Sequence, residues 1–245
     1  MQVFILKYKT TLMKIGYTFS MKNSILDNMK CAIFDMDGTI LDSMPMWHTI
    51  GENYLKSLGI TPRKELWDEI KRFNLDETGD YFITKYKVKR TKEQVMQDIK
   101  DIIIEHYGKD LQLKEGAREF LETLNAKGIP CVLATATDRA SVIACMERLD
   151  CVKYFKKILT CLEYNTTKAE PLIFEKAAEV CGVKSEESVV FEDALHAIRT
   201  AHKAGFKVCA VYDTSDEERT EPPLTDWERI LEICDTSCSN LMELI

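Results

Sequence analysis

The feature that most constrains the fold of this chain is a short apolar run that stops at two carboxylates. Residues 30–34 have the character of a buried strand, and Asp35, Met36, Asp37 and Gly38 follow directly. A strand that ends in acids and a glycine places both carboxylates at the rim of a sheet, where ligands bind in open α/β folds. Two carboxylates this close repel each other unless a cation lies between them, or unless one attacks a substrate while the other carries a proton.

The hydrophobic pattern changes its period after this strand and again near residue 116. Between residues 45 and 115 apolar side chains recur at helical spacing, and Thr91 with Gln94 forms a capping box, so the sequence predicts helices there. Further strands alternate with helices of about ten residues in the second half of the chain. These strands are predicted at 130–135, 158–161, 188–191 and 206–211. The alternation indicates an α/β fold with a parallel sheet and right-handed crossovers.

Length, charge and cysteine content exclude several classes of protein. The 245 residues suit one large domain or a core with an insert, and the net charge of −7 argues against a nucleic-acid partner. No apolar stretch approaches the ~18 residues that span a bilayer, so we expect no membrane partner. The nine cysteines form no Cys-x-x-Cys pair, and several lie in strand-like runs, which favours reduced thiols in a cytoplasmic protein.

The first residues of the chain differ from the rest in charge. Residues 1–26 carry lysines and no acid, as the start of a signal peptide does. Their longest apolar run extends only over residues 3–6, whereas a signal peptide needs a run of roughly 7–15 apolar residues. We therefore interpret residues 1–28 as a variable leader and assign it no function.

Four predicted loops carry side chains suited to a phosphoryl group. These are Asp35 and Asp37 in the first loop, Thr135 in the second, Lys168 in the third, and Glu192 with Asp193 in the fourth. A carboxylate can act as nucleophile and metal ligand, hydroxyls and loop amides can hold phosphate oxygens, and a lysine can neutralise charge. A further acid completes an oxygen-ligand site for Mg²⁺, which is a hard cation.

In order and spacing the loops resemble the four motifs of the haloacid dehalogenase-like (HAD) hydrolase superfamily, in the branch with a small helical cap. The first motif, Asp-x-Asp-Gly-Thr, corresponds to residues 35–39. The second, an apolar run that ends in Thr or Ser, corresponds to residues 132–135. The resemblance covers roughly residues 30–240. It implies a Rossmann-like parallel-sheet core from residues 29–44 and 116–245, with residues 45–115 inserted as an all-helical cap domain.

The third and fourth motifs depart from the family pattern at four positions. Lys-Pro-x-Pro-Asp corresponds to residues 168–172, where Ala169 and Leu172 replace the first Pro and the Asp. Glu-Asp-Ser with a following Gly begins at residue 192, where Ala194 and His196 replace the Ser and the Gly. Lys168 of the third motif and Glu192 and Asp193 of the fourth match the family pattern.

The resemblance assigns each matching residue a role. Asp35 looks like the nucleophile that accepts the phosphoryl group as an aspartyl-phosphate, and Asp37 like the general acid for the leaving alcohol and then the base for water. Thr135 and Lys168 look like a catalytic clamp on the phosphate. The implied phosphate-binding residues are Gly38, Thr39, Thr135, Ala136 and Lys168. The implied Mg²⁺ ligands are Asp35, Asp37 through its backbone carbonyl, Glu192 and Asp193.

The second acid of the first motif separates the reactions known in the superfamily. Dehalogenases lack an acid at this position because a halide leaves without a proton, so Asp37 favours a Mg²⁺-dependent phosphatase of a small phosphorylated metabolite, such as a sugar phosphate. A β-phosphoglucomutase-like mutase is the alternative, but Trp47 stands where those enzymes carry a His and Leu75 near their Arg. A non-catalytic phosphate-binding regulatory module is a third hypothesis. We expect a monomer or a small homo-oligomer.

Overall fold

The computed structural model describes residues 26–71, 73–213 and 226–245. The strands are β1 (Cys31–Phe34), β2 (Cys131–Thr135), β3 (Phe155–Thr160), β4 (Ser188–Glu192), β5 (Lys207–Val211) and β6 (Thr236–Cys238). The helices are α1 (Met44–Ser57), α2 (Leu66–Ile70), α3 (Leu75–Tyr86), α4 (Lys92–Lys109), α5 (Ala117–Ala126), α6 (Arg139–Arg148), α7 (Leu172–Cys181), α8 (Leu195–Lys203) and α9 (Asp226–Leu231).

The six strands form one parallel sheet in the order β3-β2-β1-β4-β5-β6. The chain builds outward from β1 through β2 to β3, and then crosses to the other side of β1 to add β4, β5 and β6. The order therefore reverses between β1 and β4. In open α/β sheets the crevice at the carboxyl ends of such a pair of strands is the place where ligands bind. The predicted α/β fold with a parallel sheet is confirmed.

Both faces of the sheet are buried, because side chains alternate along each strand and helices cover each side. Phe34, Leu133 and Phe191 point to one face and belong to a cluster that continues into helices α1, α3 and α4. Ile33 and Val190 point to the other face and pack with residues of α7, α8 and α9. The apolar runs of the sequence are thus strands buried inside the fold, and polar residues lie at the ends of these strands.

The segment between β1 and α5 contains helices α1 to α4, as the sequence predicts. Helix α4 begins at the expected capping box, in which the Thr91 hydroxyl accepts from the Gln94 amide and the Gln94 side chain accepts from the Thr91 amide. The carboxyl end of α4 is tied to α6, since Arg148 Nε donates to the Tyr107 carbonyl at 3.2 Å and Arg148 Nη2 donates to the Leu111 carbonyl. The boundaries of the core and cap domains stay a prediction.

The structure differs from the sequence expectations at the polar ends of elements. Strand β3 begins at Phe155 rather than at residue 158, because the exposed Lys156 and Lys157 interrupt the apolar run. Strand β6 was not expected, since its three residues at the sheet edge contain no apolar run.

Two further expectations concern the leader and membrane-spanning helices. Most of the leader predicted at residues 1–28 lies outside the described residues. Among the described helices, none has the length and hydropathy required to cross a bilayer.

Candidate active site

The four loops predicted to carry chemistry meet at the carboxyl edge of the sheet. Asp35 follows β1, Thr135 and Glu192 are the last residues of β2 and β4, and Lys168 lies in the loop before α7. Parallel strands end at the same edge, so residues far apart in sequence converge there. The Lys168 ammonium donates to the Asp35 carboxylate and, at 2.7 Å, to Glu192 Oε1.

The loop after β1 is a tight turn that only glycine fits. Gly38 has φ of +79°, a conformation that side chains with a Cβ rarely adopt. A Cβ at this position would also lie 2.3 Å from Asp193 Oδ2. Gly38 therefore lets the first and fourth loops approach each other closely enough to share a site.

Three carboxylates gather beside one lysine in this crevice. Ligand oxygens of Asp35, Glu192 and Asp193 all lie within 4.8 Å of one another. The Asp35, Glu192 and Lys168 side chains are almost fully buried, and the Thr39 hydroxyl donates to Asp193 Oδ1 at 3.2 Å. One ammonium cannot balance three clustered carboxylates, so ionisation of all three leaves an excess of negative charge.

This crowding of charges shifts the pKa values of the ionisable groups in the site. Burial raises the pKa of Asp35 to about 7, the Lys168 ammonium opposes the shift, and the Glu192 carboxylate adds to it. Burial and the carboxylates of Glu192 and Asp35 raise the pKa of Asp193 well above its ordinary value. Burial alone would lower the pKa of Lys168, but the carboxylates of Asp35 and Glu192 outweigh it and the pKa rises. A divalent cation among these oxygens would remove the repulsion, and three carboxylates are the hard ligands that Mg²⁺ prefers.

Asp37 is not one of these three clustered acids, and its carboxylate is held by three hydroxyl groups. Ser43 Oγ donates to Asp37 Oδ1 at 2.6 Å, and the Tyr107 hydroxyl donates to the same oxygen. Thr137 Oγ1 donates to Asp37 Oδ2 at 2.6 Å. Burial and the Asp37 carboxylate raise the pKa of Tyr107 well above its ordinary value of 10.0, so its hydroxyl keeps the proton that it donates.

The other predicted phosphate-binding residues line the same edge in different ways. The Thr135 side chain is buried, and its hydroxyl accepts from the Thr137 amide at 3.1 Å. Ala136, between them, is exposed. The Thr39 side chain is fully buried against Asp193, which leaves only its backbone to meet a phosphate. Their roles toward a phosphate stay predictions.

Sequence reasoning missed the residues that support the first loop. Ser43, Tyr107 and Thr137 bind Asp37, and Thr137 alone had a signal in the sequence, as a second hydroxyl two residues after Thr135. The partly buried Lys114 side chain donates from its ammonium to the Gly38 carbonyl at 2.7 Å and to Asp213 Oδ2 at 2.9 Å. It thereby fastens the first loop to the end of β5.

The chain is similar to known proteins over most of its length. The family model described as haloacid dehalogenase-like hydrolase matches residues 32–211. Over 183 residues the chain is 28% identical to the phosphorylated carbohydrates phosphatase of Thermotoga maritima, which covers 73% of this chain and 83% of that protein. Over 186 residues it is 23% identical to the phosphoglycolate phosphatase of Pseudomonas fluorescens, covering 73% of this chain and 67% of that protein.

A solved structure has the same fold over most of its length. The crystal structure of CbbY from Rhodobacter sphaeroides in complex with phosphate matches with a TM-score of 0.70 at 18% sequence identity. The match covers 88% of this chain and 96% of that chain. At this level of identity, the likeness shows the fold alone.

Proposed function

The chain belongs to the haloacid dehalogenase-like hydrolase family, and from that premise we propose that it is a Mg²⁺-dependent phosphatase of a small phosphorylated metabolite. The reaction class, hydrolysis of a phosphoric monoester, is that of its phosphatase relatives. The observation that carries the proposal is the cluster at the sheet edge, in which Lys168 bridges Asp35 and Glu192 while Asp193 completes three converging acids. Asp37, two residues from Asp35, supplies the acid that a leaving alcohol requires.

In the first step the Asp35 carboxylate attacks phosphorus. A bond forms between Asp35 Oδ and phosphorus, the bond from phosphorus to the leaving oxygen breaks, and Asp37 gives that oxygen a proton. The Lys168 ammonium is placed to offset charge on Asp35 and on the phosphate oxygens. Asp35, Glu192 and Asp193 would hold Mg²⁺, which supplies positive charge so that an anionic carboxylate and an anionic phosphate can approach each other.

In the second step water releases the phosphate. Asp37, now a carboxylate, takes a proton from a water molecule whose oxygen attacks phosphorus, and the bond between phosphorus and Asp35 breaks. Inorganic phosphate leaves and Asp35 is regenerated. In this proposal residues 45–115 act as a cap over the leaving group, and the enzyme works as a cytoplasmic monomer or small homo-oligomer.

Phosphate release is the direct test of this function. We expect Mg²⁺-dependent release of phosphate from p-nitrophenyl phosphate and from at least one member of a sugar-phosphate panel, with no release in excess EDTA. The absence of release from every member would contradict the phosphatase. Conversion of a sugar 1-phosphate into its 6-phosphate without net loss of phosphate would instead identify a mutase, and phosphate binding without turnover a regulatory module.

Mg²⁺ is expected to stabilise the fold even without substrate, because it relieves the repulsion among Asp35, Glu192 and Asp193. At a concentration 100 times its Kd, a ligand that binds only the folded state adds about 2.7 kcal/mol to the free energy of unfolding. Thermal unfolding with and without Mg²⁺ measures the effect. Asp193→Asn should lose most of the shift, whereas Asp42→Asn, an exposed acid in the same loop region, should keep it. An equal shift in both variants would place the cation elsewhere.

A further inference from the structure

The two carboxylate oxygens of Asp37 have different numbers of hydrogen-bond donors. A carboxylate has about four lone-pair sites, two on each oxygen. Oδ1 accepts from both Ser43 and Tyr107, so both of its sites are filled by the protein. Oδ2 accepts from Thr137, and one of its sites is left open by the side chains in the described part of the chain. The oxygen with the open site is the one that can exchange a proton with a substrate.

The direction of the bond from Tyr107 is fixed by Trp47. The indole N–H can only donate, and Trp47 Nε1 lies 3.2 Å from the Tyr107 hydroxyl oxygen. The Tyr107 oxygen therefore accepts from Trp47, and its own proton is directed to Asp37 Oδ1. The two rings meet edge to face, with centroids 6.5 Å apart, which holds the pair in this geometry.

Tyr107 is also fixed at its backbone and by its surroundings. Its side chain is fully buried within the cluster that joins the sheet face to helices α1, α3 and α4. Its carbonyl accepts from Arg148 of α6, so the residue belongs to both the helical segment and the sheet-bearing core. A residue whose side chain and backbone are both fixed can orient the group that it contacts.

We propose that Tyr107, oriented by Trp47, is a positioning residue that anchors Asp37 Oδ1 and so presents Asp37 Oδ2 as the oxygen that gives its proton to the leaving group. This inference rests on the proposed function and deepens it. The role is one of geometry, because Tyr107 acts on the reaction only through Asp37. Its loss should therefore matter most for leaving groups that depart poorly without a proton.

A comparison of leaving groups tests the role. The parameter kcat/KM covers the steps up to departure of the leaving group. A nitrophenolate leaves readily without a proton, whereas a sugar or other alkyl alkoxide does not. For Tyr107→Phe we expect kcat/KM to fall about 100-fold with the best alkyl phosphate of the panel, the size typical of general acid catalysis, and less than about 3-fold with p-nitrophenyl phosphate.

The matched control is Tyr54→Phe. Tyr54 is a buried tyrosine of α1 that donates to Asp98 Oδ2 at 3.1 Å, within the helical segment but outside the Asp37 network. The Tyr54→Phe variant should show the same small change in kcat/KM with both substrates. If Tyr107→Phe loses equal factors with both substrates, or loses nothing, Tyr107 has no positioning role. If wild type releases phosphate from neither substrate, the proposed function fails instead.

A second variant covers the case in which Tyr107→Phe does not fold. Trp47→Phe keeps an aromatic ring but removes the N–H that directs the Tyr107 proton. We expect a smaller loss with the same dependence on the leaving group. A loss that does not depend on the leaving group in a folded Trp47→Phe protein would contradict the orienting role of the indole.

Discussion

Replacing Asp35 by Asn is expected to abolish phosphate release, with kcat reduced by about 10⁴-fold or more, the scale seen when a nucleophile is removed from a catalytic set. The carboxamide cannot form the aspartyl-phosphate, so no covalent step remains. The measurement is Mg²⁺-dependent phosphate release from p-nitrophenyl phosphate. Asp42→Asn, the same change at an exposed acid seven residues away, should retain nearly full activity.

The same Asp35→Asn variant should not lose stability in the absence of metal. The pKa of Asp35 is raised to about 7 in the folded state, against an ordinary value of 3.8, so the folded state keeps a proton that the unfolded state has released. Stability of the wild type should therefore fall as pH rises from about 4 to about 7, and level off above that range. Asn at position 35 is uncharged at every pH, so the variant does not show this fall in stability. The difference in unfolding free energy should thus grow in favour of the variant over this interval.

Two outcomes would contradict this account of Asp35. Activity that survives in a folded Asp35→Asn protein would remove Asp35 as the nucleophile. A variant that becomes less stable than wild type as pH rises would show that the ionised carboxylate stabilises the metal-free fold, contrary to the charge balance of the site.

Replacing Lys168 by Met is expected to be the most destabilising single change in the site. Its ammonium is buried between Asp35 and Glu192, and its removal leaves carboxylates without a counter-charge. Breaking a buried pair by removing one partner costs about 3–5 kcal/mol. Chemical denaturation at pH 8 without metal measures the loss. Activity should fall as well, because the proposed function assigns Lys168 to the phosphate.

The stability defect of Lys168→Met should shrink at lower pH. Without the ammonium the buried carboxyls bind protons more tightly, so the folded variant takes up protons at pH values where the wild type does not. Its deficit should be largest near pH 8 and smaller near pH 5. Lys176→Met is the matched control, since Lys176 pairs with Glu179 at the surface of α7 and should cost less than about 1 kcal/mol. Equal losses for the two variants would contradict the buried charge balance.

The prediction of the fold succeeded where side-chain period was strong. Strands β1, β2, β4 and β5 lie within one or two residues of the predicted ranges, because each is an apolar run buried on both faces of the sheet. The sequence prediction missed the start of β3, whose second and third residues are exposed lysines, and missed β6, a three-residue edge strand. In both places pairing with the neighbouring strand, rather than the local pattern, decides the conformation.

The candidate site divides in the same way. The groups that the resemblance assigns to chemistry each lie next to a strand end or a helix start, so their convergence follows from the parallel topology. The positions of the residues that support these groups do not follow from the topology. Tyr107 lies 70 residues from Asp37, near the end of α4, and the helix's other buried residues, Val95, Ile99 and Ile103, are ordinary core. Lys114 binds the Gly38 carbonyl from 76 residues away, with no local signal.

The sequence by itself therefore determined the family, the parallel sheet and the set of acids with a lysine at its edge, because period and loop position are local properties of the chain. Only the tertiary structure decided that Ser43, Tyr107 and Thr137 bind Asp37, and that its two oxygens have different partners. The physical reason is that a hydrogen bond between distant segments depends on how helices pack against the sheet. Periodicity gives the face of a helix that is buried, but not the partner that each buried polar atom meets.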